Sequence, residues 1–492
     1  MNSRQCSQHL LDSLTRRTFL SDMGLGFGSI ALGAMLSRDG VARASDVVGK
    51  PPVDRPHFVP KAKSVIWLFM LGGVSQVETF DPKPALNKYA GKSIAETPFK
   101  DAVDAFLNEL RIAVPDNNNG QLRHTCYPLQ IGYGKRGQSG IEVCDWFPHL
   151  GGCIDDLAVV RSMWTTDPNH SAQLQLQTGR TRIDGTFPSI GAWTHYGLGS
   201  LNDDLPQFVV MGTIPGIGNA GILAHGADYL GPMHAGVHLT VDPQDPLPFG
   251  SPGGDVFREE QRSQLETLGH LNHLAARQYP NDPAMLARIK SYELAFRMQS
   301  AVPEIMRLDQ ETQATQKLYG LDQDHSRTYG QQLLAARRMV EKGVRFIQVY
   351  HGSVQLWDAH ADLKTRYSEL CPQVDKPIAG LIKDLKQRGL LEETLIVFAS
   401  EFGRTPGVQG GSGRDHHPFG FTVWMCGGGI QRGIVHGATD ELGYNAVEDR
   451  HYVTDLHATV LHQLGLDPRS LDLPGRQRIE LDYGHPITEI IV

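Results

Sequence analysis

The sequence is poor in cysteine and has no closely spaced pair. Six cysteines occur in 492 residues, none of them as Cys-x-x-Cys, which argues against a cysteine-built zinc site. Beyond residue 44 no apolar run is long enough to span a bilayer. Basic charge is not in excess: 46 Lys and Arg stand against 54 Asp and Glu, a formal charge of −8. That balance excludes an overall basic footprint for nucleic acid but leaves room for a local cationic pocket that takes an anionic ester. No Gly-x-Gly-x-x-Gly follows a predicted strand, which speaks against a dinucleotide-dependent redox enzyme. Internal repeats and low-complexity tracts are missing too.

What is present begins at the N-terminus. Arg16 and Arg17 are followed by Thr18-Phe19-Leu20, an uncharged stretch from Met23 to Ser37, and Ala42-Arg43-Ala44. This order reads as a twin-arginine export signal over residues 1–44, to be set aside in fold reasoning. An uncleaved anchor or a chance arginine pair is the alternative. Without residues 1–44 the chain keeps 41 basic and 51 acidic residues and a formal charge of −10. The expected location is periplasmic or extracellular, with no stable transmembrane span after processing. Residues 45–60 read as a Pro-rich linker, and 61–492 as a single α/β domain with irregular insertions. Of the five cysteines left, Cys144 and Cys153 are candidates for a bridge in an oxidising compartment; buried free thiols are the equal alternative.

"SVIWLFMLGG" predicts a buried strand turning sharply at Gly72-Gly73. "IDDLAVVRSMW", "LPQFVVMG", "VRFIQVYHG", "ETLIVFAS" and "FGFTVWMCGGG" repeat the strand pattern. Helices are expected in "HSAQLQLQTG", "TYGQQLLAARRMVEKG", "VDKPIAGLIKDLKQRG" and "VTDLHATVLHQLG", the first three stopped by Gly179, Gly343 and Gly389. Alternation of this kind predicts a parallel sheet with helices on both faces. Ligands of such sheets bind where the carboxyl ends of the strands point.

Those ends carry the chemistry. The first strand is followed by Ser75, Glu78 and Asp81; "RFIQVY" by His351, Asp358 and His360; "TLIVFAS" by Glu401 and Arg404. The stretch "VQGGSGRDHHPFGFTVWMCGGG", read as a glycine-rich loop leading into a strand, then supplies Arg414, Asp415, His416 and His417. Carboxylate with imidazole suits zinc or manganese, and an all-oxygen subset suits calcium. Asp358 and His360, two residues apart, point the same way in an extended segment; an Asp-capped turn with an exposed His is the alternative. Glu401, directly after an apolar strand, must be coordinated, solvated or paired, Arg404 being the nearest partner. Of the vicinal His416 and His417, one is expected to bind, and Asp81 before Pro82 either joins the site or starts a turn. In "WTTDPNHSAQLQLQTGR", His170 and Ser171 sit at a helix start, where free N–H groups favour an anion or an activated nucleophile. Ordinary capping by Asn169 or Ser171 is the alternative.

"AGLIKDLKQRGLLEETLIVFASEFG", "QTGRTR" and "VTDLHATVLHQLGLDP" resemble segments of sulfatases and related alkaline-phosphatase-superfamily hydrolases. Over about residues 60–480 the chain resembles more closely a bacterial family of exported sulfatase-like proteins, catalogued as domain of unknown function 1501. "TFDPKP", "PSIGAWTHYGLGS", "WDAH", "SEFGRTP", "GRDHHPFGFTVWMCGGG" and "GATDELGY" carry that likeness. The resemblance implies an alkaline-phosphatase-like α/β fold, with a mainly parallel sheet between helices. Three departures from true sulfatases stand out. Counted back from Thr178-Gly179, the nucleophile position is Asn169, with no Cys to become formylglycine. The strand-end Asp-His-Gly is Glu401-Phe402-Gly403, and the first strand offers Gly72-Gly73 where sulfatases have Asp-Asp.

The expectation is therefore an exported metal-dependent hydrolase of a sulfate or phosphate ester on a small molecule or polysaccharide. Asp81, Asp358, His360, Glu401 and His416 or His417 are the candidate ligands of a divalent ion (zinc, calcium or manganese). Arg404 or Arg414, with Asn169, would bind the anion. Ser171 or a water would attack, and His170 would shuttle the proton. The competing expectation is a non-catalytic sulfatase-like protein that binds a sulfated polysaccharide or cell-surface component.

Overall fold

A computed structural model describes residues 55–492, apart from 104, 114–117, 215–219, 243–245, 248–257, 279–282, 353–354, 472, 474 and 477. The expected leader at 1–44 and most of the expected linker at 45–60 lie outside the described residues.

The strands in chain order begin with β1 (Ser64–Met70), β2 (Tyr133–Arg136), β3 (Ile141–Cys144), β4 (Leu157–Trp164), β5 (Phe208–Met211) and β6 (Val237–Leu239). They continue with β7 (Phe346–His351), β8 (Thr394–Ala399), β9 (Gly403–Gln409), β10 (Gly413–His417), β11 (Phe421–Cys426) and β12 (Ile434–His436). The short β13 (Ala438–Thr439), β14 (Ala446–Glu448) and β15 (His451–Tyr452) complete the set. One large sheet has the order β12-β4-β11-β8-β1-β7-β5-β6, with β15 also on β4. The helices that matter here are α1 (Ala172–Thr178), α2 (Ile190–Leu198), α3 (Asp324–Glu341), α4 (Leu363–Gln387) and α5 (Val453–Gln463).

Every residue of β1 is buried, and its alternation shows why. Ile66, Leu68 and Met70 face a core shared with Leu333 of α3 and Leu370, Val374 and Ile378 of α4. Val65, Trp67 and Phe69 face the other core, with Ile190 and Trp193 of α2 and Leu456 and Val460 of α5. A strand covered on both faces must be apolar at every position. The helix–sheet–helix sandwich expected from the sequence is therefore the observed architecture.

Three features differ from expectation. β11 runs antiparallel to both β8 and β4, so its start, and not its end, lies at the edge where β8 finishes. The stretch around His416 is no loop: β10 pairs with β9 in an antiparallel hairpin, with an irregularity between Arg414 and His416. α4 begins eleven residues before the expected Val374 and continues through Pro372 and Pro377, because the upstream turns bury Leu363, Tyr367 and Leu370. That burial outweighs the hydrogen bonds lost at proline. Cys126, Cys144, Cys153, Cys371 and Cys426 are all buried free thiols, so the Cys144–Cys153 bridge does not form. Among the described residues no helix is long and apolar enough to cross a membrane.

Candidate metal centre

Gly72 and Gly73, at the end of β1, adopt φ values of 116° and 85°, a region open to glycine and costly to other residues. A Cβ at Gly72 would meet Asp358 N at 2.6 Å and Gln355 O at 2.8 Å. The missing side chain is what lets the loop after β7 close over the end of β1. Trp357 fixes that loop twice: its backbone N–H donates to Leu71 O at 3.0 Å, and its Nε1 donates to His351 Nδ1 at 3.0 Å. His351 thus anchors the loop and stands apart from the candidate ligands.

Asp358 ends up beneath three imidazoles. His416 Nε2 lies 3.0 Å from its Oδ1, His360 Nε2 lies 2.9 Å from Oδ1, and His170 Nε2 lies 3.3 Å from Oδ2. Each ring is held from behind by an acceptor. Pro168 O sits 2.9 Å from His416 Nδ1, Gln409 Oε1 2.5 Å from His360 Nδ1, and Glu401 Oε1 3.0 Å from His170 Nδ1. A carbonyl or carboxylate oxygen only accepts, so each Nδ1 carries the proton and each neutral ring turns its Nε2 lone pair onto Asp358. Lone pairs facing a carboxylate repel it unless a cation lies between them.

The residues therefore fit a divalent ion. One ligand atom from each of His170, Asp358 and His416 can be chosen so that all three lie within 4.8 Å of one another. The Nε2 atoms of His170 and His360 are buried without a well-formed hydrogen bond, as ligand atoms awaiting a metal would be. Two imidazole nitrogens and a carboxylate oxygen suit zinc or manganese better than calcium. His360, the most exposed of the three rings, falls outside that group.

Charge agrees with this reading. Burial opposes the charge on Asp358, yet the Arg404 guanidinium 2.6 Å away holds its carboxyl far below the usual range. Burial disfavours charge on His170 as well, but Asp358 and Glu401 on its two sides win and raise its pKa; a proton there does what a cation would. Burial, with Arg404 nearby, pushes His416 down to about 3 against the pull of Asp358, which keeps its ring neutral and fit to ligate.

The remaining expected site residues fall elsewhere. Glu401 sits behind His170, accepting from both Gly72 N–H (2.9 Å) and Gln173 Nε2 (3.1 Å); it orients the His170 ring and stands outside the group of His170, Asp358 and His416. His417 points away from His416, as successive strand residues do, and packs edge-on against Tyr444 and Phe419. Asp81 is carried off by the turn after β1 and pairs with Lys83 at 3.1 Å and with Thr439. Arg404 is fully buried: it donates to Gly73 O at 2.9 Å, Arg414 O at 3.1 Å and Asp358 Oδ1 at 2.6 Å, and to Gly72 O. Arg414 is equally enclosed, on Glu78 Oε1 at 2.7 Å and on the carbonyls of Pro406 and Tyr127. Neither guanidinium is open to a substrate anion. Ser171 Oγ donates to Asp167 Oδ2 at 2.5 Å, and the Asn169 backbone N–H donates to Oδ1 of the same carboxylate at 3.0 Å.

Asp167, Gln173 and Gln409 were not singled out from the sequence. Burial raises Asp167 to about 6, against the bonds from Ser171 and Asn169. A signal was there for Gln173: "QLQLQ" alternates glutamine with leucine inside a helix, and buried glutamines need partners. Gln409 carried no such signal, since its role depends on the hairpin.

The sequence profile of a family described as "Protein of unknown function (DUF1501)" matches residues 62–491. The chain belongs to that family. No curated protein matches its sequence. Solved structures similar to this family member include the PsFucS1 sulfatase from Pseudoalteromonas sp., at 13% identity and a TM-score of 0.36, covering 93% of this chain and 74% of that one. Ps i-CgsB is similar at 11% identity and a TM-score of 0.37, covering 86% and 74%. The alkaline phosphatase from the Antarctic bacterium TAB5 is similar at 10% identity and a TM-score of 0.33, covering 83% and 99%.

Proposed function

We propose that this protein is an exported metal-dependent hydrolase of a phosphate or sulfate ester on a small molecule or polysaccharide. One observation carries the reading: three imidazoles, each pinned by its own acceptor, turn their Nε2 atoms onto one carboxylate. His170, Asp358 and His416 would hold the ion. A divalent ion there neutralises charge on a bound ester and acidifies a water. Glu401, Gln409 and the Pro168 carbonyl keep the imidazoles in the ligating tautomer, as acceptors behind metal-bound histidines do. His360, at the edge of the cluster, is placed to take the proton of the attacking water at Nε2. Water is favoured over Ser171 as nucleophile because the Ser171 hydroxyl is committed to Asp167.

That same commitment also favours a second reading, a binding protein without turnover. Metal analysis of the purified mature protein, followed by assay against phosphate and sulfate esters, separates the two. Stoichiometric zinc or manganese with turnover supports the hydrolase, and metal without turnover supports the binding protein. A mature protein that takes up no divalent ion overturns both.

A further inference from the structure

We infer that Arg366 is the cation that receives the substrate anion, and that the site is matched to a dianionic phosphate monoester over a monoanionic sulfate ester; this rests on the metal-centred reading above. Any clamp for the anion must be a cation near the ligands with donors left over. Arg404 and Arg414 fail because both are fully buried with their nitrogens on carbonyls and carboxylates. Arg123 fails because its Nε and Nη2 are taken by Asp415 and by Asn118 O. Arg366 lies in the first turn of α4, its backbone bonded to Asp362 O at 3.0 Å. Its side chain is exposed, and its Nη1 donates to the backbone carbonyl of Asp358 itself. It forms no ion pair with a described carboxylate. One edge of the guanidinium is thus fastened to the backbone of the residue that carries the carboxylate, while the other nitrogens remain for an oxyanion. A fixed planar fork of this kind matches phosphate bidentately.

Charge balance supplies the preference. Asp358 and Glu401 against Arg404 leave the cluster one charge negative, since His170 and His416 would ligate as neutral rings and His360 stands neutral beside them. A divalent ion brings it to one positive, which balances a sulfate monoester without further help. A phosphate monoester dianion needs one more positive charge at the mouth, and Arg366 provides it. The pairs Glu78–Arg414 and Asp415–Arg123 are internally neutral and leave the balance unchanged.

The test uses the zinc-loaded full mature chain and two non-hydrolysable probes of similar shape, phenylphosphonate (a dianion at a pH of about 8) and benzenesulfonate (a monoanion). Zinc content and calorimetric binding are measured for the wild type, R366A and R366K. The wild type is expected to favour phenylphosphonate by about tenfold or more, and R366A to lose at least about tenfold for it but less than about threefold for benzenesulfonate. R366K should recover part of the loss, with zinc content unchanged in both variants. Zinc uptake without discrimination between the probes, or equal losses for both in R366A, overturns the inference and leaves the metal centre standing. Failure of the wild type to take up zinc overturns the metal centre and this inference together.

Discussion

Replacing Glu401 by glutamine tests whether this carboxylate orients a ligand or is one. Glu401 is fully buried and accepts from Gly72 N–H, His170 Nδ1, Gln173 Nε2 and Ser400 Oγ at 2.9 to 3.2 Å. In E401Q one acceptor oxygen becomes an NH2 group facing donors, and the remaining oxygen loses its negative charge. Losing charge-assisted bonds and leaving one buried donor unpaired sums to about 3–5 kcal/mol of stability. For the metal, loss of the carboxylate behind His170 should weaken zinc binding by about 10- to 100-fold, the usual cost of removing such a partner. Zinc affinity would be read by chelator competition, and stability by denaturant unfolding of the zinc-free protein. Q173A serves as a control that removes one donor to Glu401 and leaves His170 in place. An E401Q zinc affinity within about twofold of wild type would refute the orienting role, and a loss beyond about 1,000-fold would make Glu401 a direct ligand.

Other perturbations follow from the same contacts. S171A should keep activity within about tenfold of wild type while costing about 1–2 kcal/mol of stability, since the hydroxyl serves Asp167; a loss of about 1,000-fold in kcat would restore covalent attack. G72A should abolish zinc uptake and lower the thermal midpoint, because its Cβ would strike Asp358 N at 2.6 Å; normal zinc content in this variant would show that the loop closes some other way. Acid should unfold the protein early. Burial pushes His225 and His234 down to about 3 and His351, His417 and His457 down to about 4, so the unfolded chain takes up protons that the folded chain refuses. Folded values below unfolded ones mean stability that is complete above pH 6.5, the ordinary value of these rings, and is lost as pH falls toward 4. Asp167, raised to about 6, and His170, also raised, work in the opposite direction. The net uptake of about three protons near pH 6 costs about 4 kcal/mol per pH unit, and unfolding free energies that stay flat between pH 7 and pH 5 would contradict this.

The apolar strands and glycine-stopped helices were legible in the sequence because burial on both faces forces unbroken hydrophobic runs. β1, β7 and β8 are instances, with their carboxyl ends at one edge as expected. The direction of β11 was not legible, since a buried antiparallel strand and a parallel one share a composition. That direction matters: it lets His416 reach the edge from the start of a strand, by way of a hairpin whose glycines looked like a loop. Asp358 and His416 stood out as carboxylate and imidazole near strand ends. Glu401 stood out for the same reason, but its place behind His170 depends on the Gly72 turn, which residue types alone do not reveal. Arg404 and Arg414 looked like anion clamps because a sequence records a charge and omits the carbonyls that surround it.

The proposed ligand set also bears on where the protein would acquire an ion. His170, Asp358 and His416 come from three separate segments that meet only after β4, β7 and β11 have joined one sheet, and no two of them are near neighbours in the chain. An unfolded chain consequently does not bring these three together, and uptake of an ion by this set would be the last event of folding, with the loop-closure entropy already spent. The compartment in which folding finishes would then select the metal. If the leader at residues 1–44 exports folded chains, that choice falls to the cytoplasm, whatever ions surround the protein where it works.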